Sequence, residues 1–149
     1  MFKFRNPDRK LKTLVMTAMF AALAVIPGAA MAESDQREAI TLAFNAAIQN
    51  IPGKSIVAIV VSYAPGGKTP AHHHAHSAFV TGYVLSGAIR SQVDDGAVRV
   101  FHAGESWTEE PGAHHPISEN ASATEPAKLL AVFVVDTKEA GDLTTVEGQ

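Results

Sequence analysis

Seven histidines crowd between positions 72 and 115 of this 149-residue sequence, and His72, His73, His74 and His76 fall within five residues. Imidazole binds borderline transition metals and exchanges protons near neutral pH, so these side chains are the ones equipped for chemistry. The chain has no cysteine, which excludes disulfide frameworks, zinc fingers, iron–sulfur clusters and thiol nucleophiles. His72, His74 and His76 alternate along what reads as a strand, so they share one face and His73 takes the other. His114 and His115 follow a Pro111-Gly112 turn. Apolar Ile117, two residues on, puts His115 on the core-facing side and His114 on the opposite one. Two strands of a small barrel can then bring His72, His74 and His115 together as a three-imidazole metal site with an open position. A bare His-x-His also suits a solvated polar turn, but a second histidine pair about 40 residues downstream favours the metal. No serine has both a histidine and an orienting acid nearby, so a nucleophile triad is not expected.

The elements that must position these residues are almost all β. Ile56–Tyr63, Phe79–Leu85, Ala88–Val93, Ala97–Phe101, His114–Ser118 and Lys128–Val135 are short apolar or alternating runs. Ala64-Pro65-Gly66-Gly67, Ser86-Gly87, Asp94-Asp95-Gly96 and Ala103-Gly104 are the turns between them. Closely spaced strands without intervening helices predict an antiparallel sandwich or small barrel rather than a βαβ fold. Ahead of them, Ser34 can cap a short helix whose apolar residues Ile40, Ala43, Phe44, Ala47 and Ile48 recur at helical spacing, and Pro52-Gly53 would stop it. Trp107, Phe79, Tyr83 and Phe101 read as core or pocket-mouth aromatics. Arg90 and Arg99, on adjacent strands of a hairpin, are open to holding a substrate carboxylate but read better as cross-strand partners of Asp94 or Asp95, and His102, Glu109 and Glu110 read as surface positions, with one of the two glutamates open to an acid–base role.

The first 32 residues differ in character. Lys3, Arg5, Arg9, Lys10 and Lys12 precede an uncharged run, Leu14–Ile26, then Pro27-Gly28 and the small-x-small triplet Ala30-Met31-Ala32. This is the three-part design of a secretory signal peptide, shorter in its apolar run than a spanning helix requires. Cleavage after Ala32 would remove five of the 12 basic residues, one of the 15 acidic ones and all four methionines, leaving 117 residues with a net charge of −7. Such a chain has no basic face for nucleic acid, no stable membrane insertion after cleavage, and only nitrogen and oxygen to offer a metal. A periplasmic or secreted location follows as an expectation.

The stretch from Tyr63 to Asp136 resembles a cupin, the small double-stranded β-helix or jelly-roll barrel. Gly66-Gly67, Pro70, His72, His74 and Gly87 match its first motif. Gly104, Gly112 and His115 fall at the spacing of its second, with Glu110 in place of the proline and Glu119 where asparagine is expected, Asn120 lying one place late. The resemblance implies metal ligands at His72, His74 and His115, and a homodimer, the state of many cupins. It also implies a glutamate ligand shortly after the second histidine, yet no Asp or Glu occurs from Ile40 to Val93. His76 as a fourth ligand, a three-histidine site, or a lost metal are the alternatives, with the three-histidine site favoured. Neutral histidines suit iron(II), zinc, copper or nickel better than magnesium or calcium, and the resemblance, which extends to three-histidine dioxygenases, favours iron(II). The expected organisation is a signal peptide over 1–32, one N-terminal α-helix within 33–53, a cupin barrel over 54–136 and a C-terminal tail over 137–149. The expected function is an exported metal-binding cupin acting on a small organic molecule, as a three-histidine metal-dependent dioxygenase. The alternative is a non-enzymatic module that binds a small ligand or metal.

Overall fold

A computed structural model describes residues 37–148, so the signal-peptide reading of 1–32 lies outside the described residues. Twelve strands follow one another along this span. They are β1 (Glu38–Ala47), β2 (Lys54–Tyr63), β3 (Lys68–Thr69), β4 (His72–His74), β5 (Phe79–Ser86), β6 (Ala88–Gln92), β7 (Arg99–His102), β8 (Ser106–Glu109), β9 (His114–His115), β10 (Ile117–Asn120), β11 (Ala127–Asp136) and β12 (Thr144–Val146). A five-stranded sheet runs β1-β2-β11-β5-β8, a four-stranded one β3-β10-β6-β7, and a three-stranded one β12-β4-β9. All pairings are antiparallel.

Alternation decides which side chains form the core. In β2 and β11 the odd-numbered residues point inward, so Val57, Val61, Tyr63, Leu129, Ala131, Phe133 and Val135 are buried. Val61, Tyr63, Val84, Ile89, Phe101, Ala127 and Leu129 form one cluster, against which Trp107 packs. Val57, Ala78, Val80, Ala131, Phe133 and Val135 form the other. The tight β5–β6 turn requires glycine at position 87, where φ is +72° and a Cβ would lie 2.7 Å from the Pro126 carbonyl oxygen.

The all-β expectation is met, but the part of the expected 33–53 helix that falls among the described residues, 37–53, is not helical. Glu38–Ala47 is β1, paired with β2 from Glu38↔Tyr63 to Ala47↔Ser55. Its sequence fits both periods, because Ile40, Leu42 and Phe44 also alternate. Ten consecutive residues of β2 offer it a ladder, and tertiary pairing overrides the local helical pattern. The segment expected as a C-terminal tail carries a 3₁₀ turn, Thr137–Glu139, and then β12, which pairs with β4.

Candidate metal centre

The register of β4 and β9 assembles the site. His72 stands opposite His115 and His73 opposite His114, so one face of this ladder carries His72, His74 and His115 inward, all buried. One ring nitrogen from each of these three lies within 4.8 Å of the others. The His72 and His74 rings meet edge to face with centroids 4.9 Å apart, and those of His72 and His115 are 5.2 Å apart.

His76 does not join them. β4 ends at His74, the chain turns at His76 and Ser77, and His76 is exposed. Alternation beyond the strand end therefore fails to predict its direction.

A carboxylate, absent from the span Ile40–Val93, reaches His74 and His115 from β8. Glu109, expected on a surface turn, is 3% exposed, whereas Glu110 is exposed. Glu109 Oε2 lies 2.7 Å from His74 Nε2, and its Oε1 lies 3.4 Å from His115 Nδ1. Trp107 Nε1 donates to Oε1 at 2.9 Å. The sequence held a signal for this: Glu109 is two residues from Trp107 on a strand, so the two share a face. Across the sheet Val80 stands opposite Glu109 and Gly82 opposite Trp107.

The surrounding groups orient the donors. His72 Nδ1 donates to the Pro70 carbonyl at 2.8 Å, which leaves Nε2 as the lone-pair nitrogen. His115 Nε2 is hydrogen-bonded with the Ser91 hydroxyl at 2.9 Å, which turns Nδ1 toward Glu109. Burial pushes the His115 imidazole down to about 4 and lowers His72 as well, so both are neutral at pH 7. Burial alone would raise the Glu109 carboxyl, but contact with His74, the charges of His115 and His74, and the Trp107 indole hold it below its ordinary value. His74 Nδ1 is buried without a hydrogen-bond partner, while His74 Nε2 and Glu109 Oε2 have only each other. Orphaned buried donor atoms are costly unless something binds them. Three buried imidazoles, each offering a ring nitrogen within 4.8 Å of the others, fit a divalent transition metal, and the Glu109 carboxylate lies against two of them.

The donors face a cavity of about 410 Å³, whose lining includes Ile59, Val61, Val80, Leu129, Phe133 and Trp107. Such a volume suits a small organic ligand. Away from the histidines it is also lined by Tyr63, whose hydroxyl is hydrogen-bonded to Thr69 at 2.7 Å and Ser118 at 2.9 Å. Thr69 in turn donates to Glu38. Burial pushes the Tyr63 phenol up to about 12, so it remains protonated. Phe101 packs in the core, whereas Phe79 and Tyr83 are exposed. Arg90 pairs with Glu119 at 2.5 Å rather than with Asp94 or Asp95, because β6 lies beside β10 and Glu119 stands directly opposite. Arg99 lies over the Phe101 ring, and His102 is exposed as expected. Asn120 holds the following loop through the Ala64 and Glu125 carbonyls and the Ser122 amide.

Comparison with known proteins agrees with this architecture. A family model described as cupin domain matches residues 59–133. An uncharacterised double-stranded β-helix protein from Klebsiella pneumoniae is 20% identical, with a TM-score of 0.58 over 78% of this chain and 90% of its own. The cupin domain of Schizosaccharomyces pombe Cnp3 is 19% identical, with a TM-score of 0.55 over 71% of this chain and 70% of its own. A recombinant oxalate oxidase in complex with glycolate is 24% identical, with a TM-score of 0.54 over 67% of this chain. The match spans about half of that oxidase, 52% of its length. At these identities the likeness is one of fold. No curated protein sequence matches the chain.

Proposed function

Because the chain belongs to the cupin-domain family, we propose that it is an exported, metal-dependent enzyme that acts on a small organic molecule, with iron(II) as the metal and dioxygen as co-substrate. The observation that carries this reading is the convergence of His72, His74 and His115, with Glu109 against His74 and His115, on an otherwise largely apolar cavity. Held by these residues, iron(II) would supply Lewis acidity and one-electron chemistry with dioxygen.

The chain's own residues have the remaining tasks. Pro70 and Ser91 hold the His72 and His115 rings in orientation, and Trp107 holds Glu109. Val80, Leu129 and Phe133 keep the cavity wall dry, which strengthens polar interactions inside it. Among the described residues no Lys or Arg lines the cavity, and Glu38 and Glu109 do. The substrate class best matched is therefore a neutral or singly charged, partly apolar molecule with one oxygen donor group. Export rests on the leader sequence, Lys3 to Ala32.

The test is metal analysis of the untagged protein, followed by oxygen uptake of the iron-loaded form across phenols, diketones, thiols and small oxygen acids such as glycolate. Metal content that falls in His115→Gln and Glu109→Gln, with uptake on at least one compound class, supports the enzyme. Unchanged metal content in both variants sinks the site. The same cavity also suits a non-enzymatic binding module, which would show ligand-induced thermal stabilisation without oxygen uptake.

A further inference from the structure

The outward face of the β12-β4-β9 sheet carries histidines that the inner site does not use. We propose that His73, His114 and Glu147 form a second metal site, for zinc or a similar divalent transition ion. An ion bound there fastens β12, which walls the cavity, to the two histidine strands.

The backbone register builds this cluster. His73 stands opposite His114 on neighbouring strands, and their rings stack with centroids 4.6 Å apart and an interplanar angle of 22°. On the other side of β4, Thr145 stands opposite His73. The Glu147 amide donates to the Ala71 carbonyl at 3.0 Å, which carries the ladder one step past β12. Glu147 Oε1 then lies 2.7 Å from His114 Nε2 and 3.7 Å from His73 Nε2. One ligand atom from each of the three residues lies within 4.8 Å of the others. Donors sharing a tetrahedral zinc at about 2.1 Å stand roughly 3.4 Å apart, so side-chain adjustments of under about 1 Å bring all three into range.

Two observations separate this cluster from an ordinary surface ion pair. His114 Nε2 is itself buried and lies 2.7 Å from the Glu147 carboxylate, so the pair is partly withdrawn from water. An isolated ion pair at the surface contributes about 0–1 kcal/mol, and it does not require a second imidazole stacked against the first. Two imidazoles and one carboxylate are a zinc-type donor set that leaves a coordination position open. His73 and Glu147 are about half exposed, at 54% and 47%, so an ion can reach them from solvent.

The position of β12 gives the site its consequence. Thr144 and Val146 line the cavity, while Thr145 and Glu147 alternate to the outer face. An ion on that face would join β12 to β4 and β9 and restrict the strand whose inner side lines the cavity.

The experiment uses the full chain without a histidine tag, stripped with chelator and titrated with zinc chloride, with hydrogen exchange followed at residues 143–147. The wild type is expected to bind one more tight equivalent than His73→Ala or Glu147→Gln. Zinc is expected to slow exchange over 143–147 in the wild type but not in Glu147→Gln. Equal stoichiometry in the wild type and both variants overturns the site, and loss of an equivalent without altered exchange overturns the fastening role. A wild type that binds one equivalent and a Glu147→Gln variant that binds none supports this site while refuting the inner one, because the two clusters share no side chain.

Discussion

Glu109 is the residue on which the inner site's chemistry turns. It supplies a negative charge among three imidazoles, at a depth where an unpaired carboxylate would be strongly penalised. Replacing it by glutamine keeps the shape but removes the anionic donor, so affinity for a divalent metal is expected to fall by at least about tenfold, as measured by equilibrium dialysis. The imidazoles set the pH response of the metal-free protein. His115 titrates near 4 when folded, against about 6.5 when unfolded, so between these values the unfolded chain binds more protons. Stability is therefore fully retained above pH 6.5 and falls as the pH drops toward 4, by on the order of 3 kcal/mol from this group. The lowered Glu109 carboxyl acts in the same direction, with its share lost as the pH falls below its unfolded value of 4.5. Urea midpoints at pH 7, 5.5 and 4.5 should decline in that order. A flat profile would exclude a neutral, buried His115.

Among the elements, β5 and β8 show how backbone space positions a functional side chain. Gly82 stands opposite Trp107, and a Cβ there would approach the indole to 2.6 Å. Gly82→Ala must therefore push Trp107 aside and with it the indole N–H that holds Glu109. Overpacking of this kind costs about 1–3 kcal/mol, and metal affinity should fall with it. Trp107 is the chain's one tryptophan, so its fluorescence should shift in this variant and report the displacement directly. β1 makes the opposite case. Leu42 is 59% exposed, so Leu42→Thr, which keeps a β-compatible side chain, should change the unfolding free energy by no more than about 0.5 kcal/mol. A loss of several kcal/mol would mean that this segment buries its apolar residues.

For the whole molecule, the cavity between apolar walls leaves the inner site coupled to folding. A metal that binds the folded form stabilises it by about 2.7 kcal/mol at a concentration 100 times its Kd. The thermal midpoint of the wild type should therefore rise with added metal, and that rise should be much smaller in His72→Gln. Ala131 lines the same cavity on β11, and Ala131→Leu places a larger side chain there. Metal content is expected to be unchanged in this variant while ligand-induced stabilisation is lost, which separates the cavity's role from that of the donors.

Strand alternation made His72, His74 and His115 legible as one inward-facing set, and His73 and His114 as its outward complement, because side-chain direction in a strand is a local property with period two. The glycines and hairpin turns made the β architecture legible for the same reason, since turn geometry is decided by a few adjacent residues. Tertiary structure alone decided the rest. Which strand delivers the carboxylate depends on the pairing of β8 with β5, a contact between residues nearly 30 positions apart. Whether Glu38–Ala47 is helix or strand depended on the free edge of β2, since its sequence satisfies both periods. His76 was lost to the site when β4 ended at His74, and Glu147 was brought to His114 by a strand pairing that joins the chain's last described segment to its histidine cluster.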